Sequence, residues 1–319
     1  MPTVKIIEYR QLIHIVTMFL IVQFLGMLVF MNSISGQSIL IQHNIPNTPS
    51  IATYAEYLII EVIILILIFA VIFRKFNERT IAMMLKALET VYLFFGATVI
   101  VYIFTNSIFS LLAGIALVLM KKYAPYTRNI ATIISTAGIG VYIGSTLVFI
   151  SNGFYIIMVL FVILAVYDFI SVFITKHMVA IANVASKGNL SLLIGSTDLA
   201  AVPKAMLNPE QSKIYTKEYA EVINKNPVLK KLYKEGMAPL YSVVMLGQGD
   251  LLLPLVVSIS SFTVDANFTL GLFIILGATI GIIATMFILK RYKRPLPALP
   301  PLLGGILIGL FLYQLYMFV

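Results

Sequence analysis

The sequence predicts an all-α fold: a polytopic membrane protein with nine transmembrane helices. Three observations carry that prediction. Apolar residues make up 60% of the chain, charged residues only 11%, and mean hydropathy is +1.00, a balance that soluble domains do not have. The apolar residues gather into runs near the length of about 20 residues that a helix needs to cross a bilayer. All 22 Lys and Arg fall in alternate gaps between those runs.

The spans run about 11–31, 54–73, 87–105, 107–121, 129–150, 153–175, 238–259, 268–289 and 299–318. The first is too long for the apolar core of a signal peptide and no Ala-x-Ala follows it, so it reads as an uncleaved span. The fourth is short, and the hairpins at Thr105–Ser107 and Ser151–Gly153 are tight. Small residues recur at helical spacing in three spans: Gly140 and Gly144, Gly277 and Gly281, Gly305 and Gly309. Such pairs let helices approach closely in lipid.

The charges fix an orientation. Lys5 and Arg10 precede span one; Arg74, Lys75, Arg79 and Lys86 lie between spans two and three. Lys121, Lys122 and Arg128 follow span four, nine lysines from Lys176 to Lys234 follow span six, and Lys290, Arg291, Lys293 and Arg294 follow span eight. The positive-inside rule then places the N-terminus in the cytoplasm and the C-terminus outside, in a multi-pass protein of the cell membrane. The net charge of +9 therefore points to anionic lipid of the inner leaflet and not to nucleic acid.

The chain thus divides into an N-terminal membrane region (residues 1–175), a cytoplasmic loop (residues 176–237) and a C-terminal membrane region (residues 238–319). The loop is polar and interrupted by Pro209 and Pro227, so it reads as a connector with short helices. Its apolar patch Leu190–Ile194 reads as a surface helix.

Four acids fall within spans: Glu61, Glu89, Asp168 and Asp250. Glu61 and Glu89 lie near span ends, where a carboxyl reaches the interface or water. Asp168 and Asp250 lie deeper, and an ionisable group at depth is read first as functional. Asp168 sits about eight residues before Lys176, or about 12 Å below the inner edge. Asp250 follows Gly247-Gln248-Gly249 in a span entering from the same edge. Glycine weakens that helix on one side of the acid. Pro254 withholds a donor from the Asp250 carbonyl on the other. The segment is therefore expected to open on both sides.

Spans six and seven are antiparallel, so the two acids can meet in the inner half of the membrane. Like charges a few ångströms apart in a low-dielectric site do not both ionise, and the pair holds one proton. The ionised partner can take a proton from water while the protonated partner donates to a peptide carbonyl oxygen. That is amide hydrolysis without a covalent intermediate, cofactor or metal.

Tyr167-Asp168 in one span, Gly247-Gln248-Gly249-Asp250 in the next and Pro297-Ala298-Leu299-Pro300 before the last resemble the presenilin and signal peptide peptidase family of intramembrane aspartyl proteases. The resemblance implies a presenilin-like fold, Asp168 and Asp250 as the catalytic pair, and Tyr167 as support for the first. It implies that Gly247 and Gly249 give backbone access near the second acid, and that Pro297, Ala298 and Leu299 shape the site. The orientation resembles presenilin; signal peptide peptidases are similar but inverted. Gln248 departs from the apolar residue more usual between the glycines. The loop lacks the long insertion of eukaryotic presenilins, so neither autoproteolytic maturation nor obligatory partner subunits is carried over. The chain looks like a stand-alone prokaryotic-type homologue, with transmembrane peptides or proteins as substrates and a homo-oligomer left open.

The proline cluster Pro295, Pro297, Pro300 and Pro301 also has physics of its own: it favours an extended approach to span nine, with proline in the first helical turn. A rigid, non-helical strip near the acids suits an unwound substrate.

Other chemistries fit less well. The chain has no cysteine, which excludes disulfides and thiol nucleophiles. His14, His43 and His177 form no His-Glu-x-x-His. Gly144-Ser145 and Gly195-Ser196 are not nucleophile elbows, and His14 reads as a packed or polar-contact residue. The alternative from another class is a proton- or cation-coupled transporter or channel using the same acids. It lacks a repeated half and a second broken span.

Overall fold

A computed structural model describes residues 3–35, 77–105, 107–124, 127–150, 152–174, 193–203, 231, 235, 237–266, 268–292 and 296–318. The described helices are α1 (Thr3–Ser35), α2 (Glu78–Thr105), α3 (Phe109–Tyr123), α4 (Arg128–Val148), α5 (Gly153–Phe173), α6 (Gln248–Ser260), α7 (Thr269–Tyr292) and α8 (Leu299–Phe318). Between α5 and α6 lie two strands, β1 (Leu193–Pro203) and β2 (Met237–Gly247), paired in a two-stranded sheet. Span two and its Glu61 lie outside the described residues, as do His43, His177 and Pro295.

Six of the described helices are long and apolar enough to cross a membrane. The fourth predicted span is the 15-residue α3, about 22 Å long and short of the hydrocarbon core of about 30 Å. Lys121 and Lys122 close its last turn, where cations suit the helix dipole. Asn152 takes a left-handed φ of 62° between α4 and α5, which turns the chain sharply at the predicted hairpin.

The seventh span differs from expectation. Residues 237–247 form a strand and the helix starts only at Gln248. An apolar run bounded by glycines has no period that separates strand from helix. Pro239 allows helix only from its own position onward, since proline is tolerated in a first helical turn and not deeper, and Gly247 and Gly249 weaken the helix beyond it. The expected opening is therefore found before Asp250 but not after it, since α6 continues through Pro254 to Ser260. The loop patch ending at Ile194 is corrected too: Leu193 and Ile194 begin β1.

The chain divides into two compact units. The smaller comprises Met1–Ile15 and Gly195–Met245. In it His14 Nδ1 lies 3.4 Å from Ser196 Oγ, the polar contact expected of that histidine. The larger unit comprises Val16–Ile194 and Leu246–Val319, and all the packing below belongs to it.

Lipid tails are as apolar as leucine, so close packing must hold these helices together. The predicted small-residue pairs supply it. Gly277 and Gly305 bring α7 and α8 to backbone contact. Gly140 and Gly144 of α4 admit Leu255 and Ile259 of α6. Leu255, Ile259, Ile274, Ile275 and Ile306 are all fully buried. Phe30, Phe262 and Phe268 form an aromatic cluster with centroids 4.7 to 5.9 Å apart. The outward faces stay apolar, as at Leu112 and Ile115 of α3, which suits contact with acyl chains.

Glu89 departs from the expected water-reaching carboxyl. It is only 4% exposed and its Oε1 lies 2.7 Å from Lys121 Nζ. Arg128 adds a second positive charge nearby. A carboxylate in lipid is tolerated when paired.

Candidate active site

Three elements converge in the larger unit: α5, the first turn of α6 and the start of α8 all pack on one another. Each carries one of the three sequence motifs.

Asp250 is the third residue of α6. Its Oδ2 accepts a hydrogen bond of 3.2 Å from the Gly247 N–H, just before the helix. This is the backward reach of a capping box, in which an acid in the first turn closes on the residue that starts the helix. The positive end of the helix dipole adds to it. Gly247 is extended, with φ −69° and ψ 150°. A Cβ on it would stand 3.2 Å from Asp250 Oδ2, so only glycine leaves this carboxylate unpressed. Gly249 is exposed, and a Cβ there would meet nothing within 4 Å. One glycine makes room for the acid; the other leaves open space beside it.

Asp168 lies inside α5 and is 9% exposed. Its Oδ2 accepts 3.2 Å from the Leu299 N–H, the first amide of α8. The backbone of Ala298 also interacts with this carboxylate. The first N–H groups of a helix have no partner within it, and the proline cluster leaves few of them at this end. Pro300 and Pro301 have no N–H, and the Leu302 N–H is taken by the Ala298 carbonyl at 3.2 Å. Pro297 is buried beneath the turn. The Pro-Ala-Leu-Pro motif thus acts through its main chain: it points the N-terminus of α8 at Asp168. Side-chain reasoning on the sequence missed this, although prolines in a first helical turn are its signal.

Both carboxylates therefore sit at helix N-termini, and they are near enough to act on each other electrostatically. Tyr167, partly buried, also lies within the field of Asp168. Gln248 is buried behind the turn. All eight predicted site residues fall in this one region of the larger unit. Sequence reasoning passed over one further contact: the Gln23 amide of α1 donates to the Leu251 carbonyl at 2.9 Å, one residue beyond Asp250. An amide in the middle of an apolar run was its signal.

Among the described residues no group of three or more metal-ligating side chains occurs. The chemistry at hand is that of two carboxylates of separate helices, each holding one backbone donor, with Asp250 in the field of Asp168.

The fold and the sequence both have known relatives. The structure is similar to a presenilin family intramembrane aspartate protease solved in space group C222, at 19% identity and a TM-score of 0.54, covering 94% of this chain and 97% of that one. A second structure of a presenilin family intramembrane aspartate protease, in space group P2, is 20% identical with a TM-score of 0.49, covering 93% and 94%. No curated protein matches in sequence. The family model described as signal-peptide peptidase, presenilin aspartyl protease matches residues 16–319. The chain belongs to the signal-peptide peptidase and presenilin family of aspartyl proteases.

Proposed function

We propose that the protein hydrolyses peptide bonds within or near transmembrane segments, with Asp168 and Asp250 as a general acid–base pair. The observation that carries this reading is a pair of carboxylates from separate helices, each bonded to a backbone N–H at a helix N-terminus, with Asp250 in the field of Asp168. The ionised carboxylate takes a proton from a water whose oxygen attacks the peptide carbonyl carbon. The protonated carboxyl donates to the carbonyl oxygen. Collapse of the tetrahedral intermediate breaks the C–N bond, and the amine leaves with a proton returned by the pair. Tyr167 supports Asp168. Gly249, with open space over it, gives an unwound substrate access to main chain. Pro297, Ala298 and Leu299 wall the site on the α8 side. No cofactor enters this scheme.

Activity then needs one acid protonated and one ionised, so the rate falls on both sides of an acidic-to-neutral optimum. A rate constant from acid to strongly alkaline pH contradicts the scheme.

The same reading includes nine spans with the N-terminus in the cytoplasm and the C-terminus outside, supported by the segregation of Lys and Arg. Reporter fusions at residues 200 and 319 should then report opposite sides. The chain is expected to act without a partner subunit.

The test is cleavage of a transmembrane peptide by the purified chain in liposomes, with products read by mass spectrometry. Wild type should cut, while Asp168→Asn and Asp250→Asn fold but lose at least about 100-fold in rate. An intact peptide together with acid-dependent ion flux would instead establish the transport reading.

A further inference from the structure

We propose that Gln23 of α1 is a positioning residue for Asp250, fixing the first turn of α6 through the Leu251 carbonyl. The inference rests on the protease reading above.

Gln23 lies in the apolar middle of α1 and is fully buried. Its Nε2 donates to the Leu251 carbonyl at 2.9 Å, across 228 residues of chain. Its Oε1 has no partner among the described residues. An apolar side chain of similar size would pack there without burying a polar atom. The amide is half satisfied, and the half that is satisfied reaches the turn that carries Asp250. The reverse orientation would set Oε1 against the Leu251 oxygen, two acceptors face to face.

This turn needs an outside donor for a reason readable in the sequence. Pro254 has no N–H for the Asp250 carbonyl, and its ring pushes that carbonyl aside. The turn is therefore one backbone bond short, and a polar group of a neighbouring helix can make up such a deficit. The Gln23 bond to the next carbonyl, that of Leu251, is an added tie from α1 to this turn. One turn further, Gly26 lets α1 close on α6: a Cβ there would come within 2.5 Å of Leu255 Cδ2. The short α6, of 13 residues, is thus gripped by α1 and α4. Its single polar tie to α1 among the bonds described lies next to Asp250. Moving that turn moves Asp250 relative to Asp168, which is anchored separately on α8.

The test uses the full chain in liposomes, with wild type and Asp250→Asn beside Gln23→Met and Gln23→Glu. Met keeps the volume and loses the donor; Glu has a donor only when protonated. Gln23→Met should lower kcat about 10- to 100-fold, the scale of a small misplacement of a reacting group, with KM within about twofold and the helical signal unchanged. For Gln23→Glu, the rate relative to wild type should rise as pH falls. Asp168 and Asp250 titrate in both proteins, so they largely cancel in that ratio. Should Gln23→Met not fold, the Gln23→Glu ratio carries the decision alone. Full kcat in Gln23→Met, or a Gln23→Glu rate that stays well below wild type even at acid pH where the carboxyl is protonated, overturns the positioning role while wild type still cuts. An uncut peptide with wild type overturns the protease reading first, and this inference with it.

Discussion

Asp250 is held by its own neighbours in the chain, whereas Asp168 is held across 131 residues. Both carboxylates accept one backbone N–H at 3.2 Å and both meet a helix N-terminus. The difference is where that terminus comes from. Asp250 belongs to the helix that holds it, so α6 and its acid form one local unit. Asp168 sits inside α5 and depends on α8 docking against it. One half of the site is built by local sequence and the other by tertiary packing. Disturbing α8 should then damage Asp168 alone, and disturbing Gly247 should damage Asp250 alone.

Breaking the long-range half should have the larger effect. Leu299→Pro removes the N–H that Asp168 accepts, at a first helical position where proline is tolerated. Hydrogen bonds to charged groups contribute about 1.5–3 kcal/mol, so kcat/KM should fall roughly 10- to 100-fold. Leu299→Ala keeps the N–H and should stay within about threefold of wild type if the main chain is what matters. Equal losses in both variants, measured by peptide cleavage, would move the role from backbone to side chain.

The local half has an internal control. Gly247→Ala places a methyl 3.2 Å from Asp250 Oδ2, while Gly249→Ala meets nothing within 4 Å. The first should cost about tenfold in kcat by shifting the acid. The second should leave kcat near wild type and act, if at all, on KM. If Gly249→Ala lowers kcat more than Gly247→Ala, the assignment of the two glycines is reversed.

Glu89 supplies the contrast with an ion pair. It is buried like Asp168 but balanced by Lys121. Glu89→Gln leaves a cation without its partner and should lower stability by about 3 kcal/mol, read as a drop in melting temperature in detergent. Turnover per folded molecule should change by less than about twofold. A large loss of kcat with unchanged melting would give Glu89 a role in the reaction.

The same division explains what the sequence discloses. Asp168 and Asp250 stand out because a carboxylate in an apolar run is costly, and the glycines beside Asp250 mark broken helix. That they could meet follows from reading spans six and seven as antiparallel. The glycine pairs Gly140–Gly144, Gly277–Gly281 and Gly305–Gly309 also do what their spacing implies, each meeting a neighbouring helix closely. The strand at 237–247 is not legible in this way. Its residues are apolar on both faces, so period says nothing, and Pro239 is a single hint. The buried Glu89–Lys121 pair escapes for another reason: the partners are on different helices, and nothing in either helix names the other. Gln23 is visible as a polar residue in lipid, but its target, a carbonyl 228 residues away, belongs to tertiary structure.

The most direct test of the account is a mutant cycle on the acid pair, measuring kcat/KM for transmembrane peptide cleavage by wild type, Asp168→Asn, Asp250→Asn and the double variant. Groups that act as one catalytic unit show strongly non-additive losses. Each single variant should therefore be about as inactive as the double. Independent losses that multiply in the double variant, or a single variant that cuts at the wild-type rate, would contradict joint action by the two carboxylates.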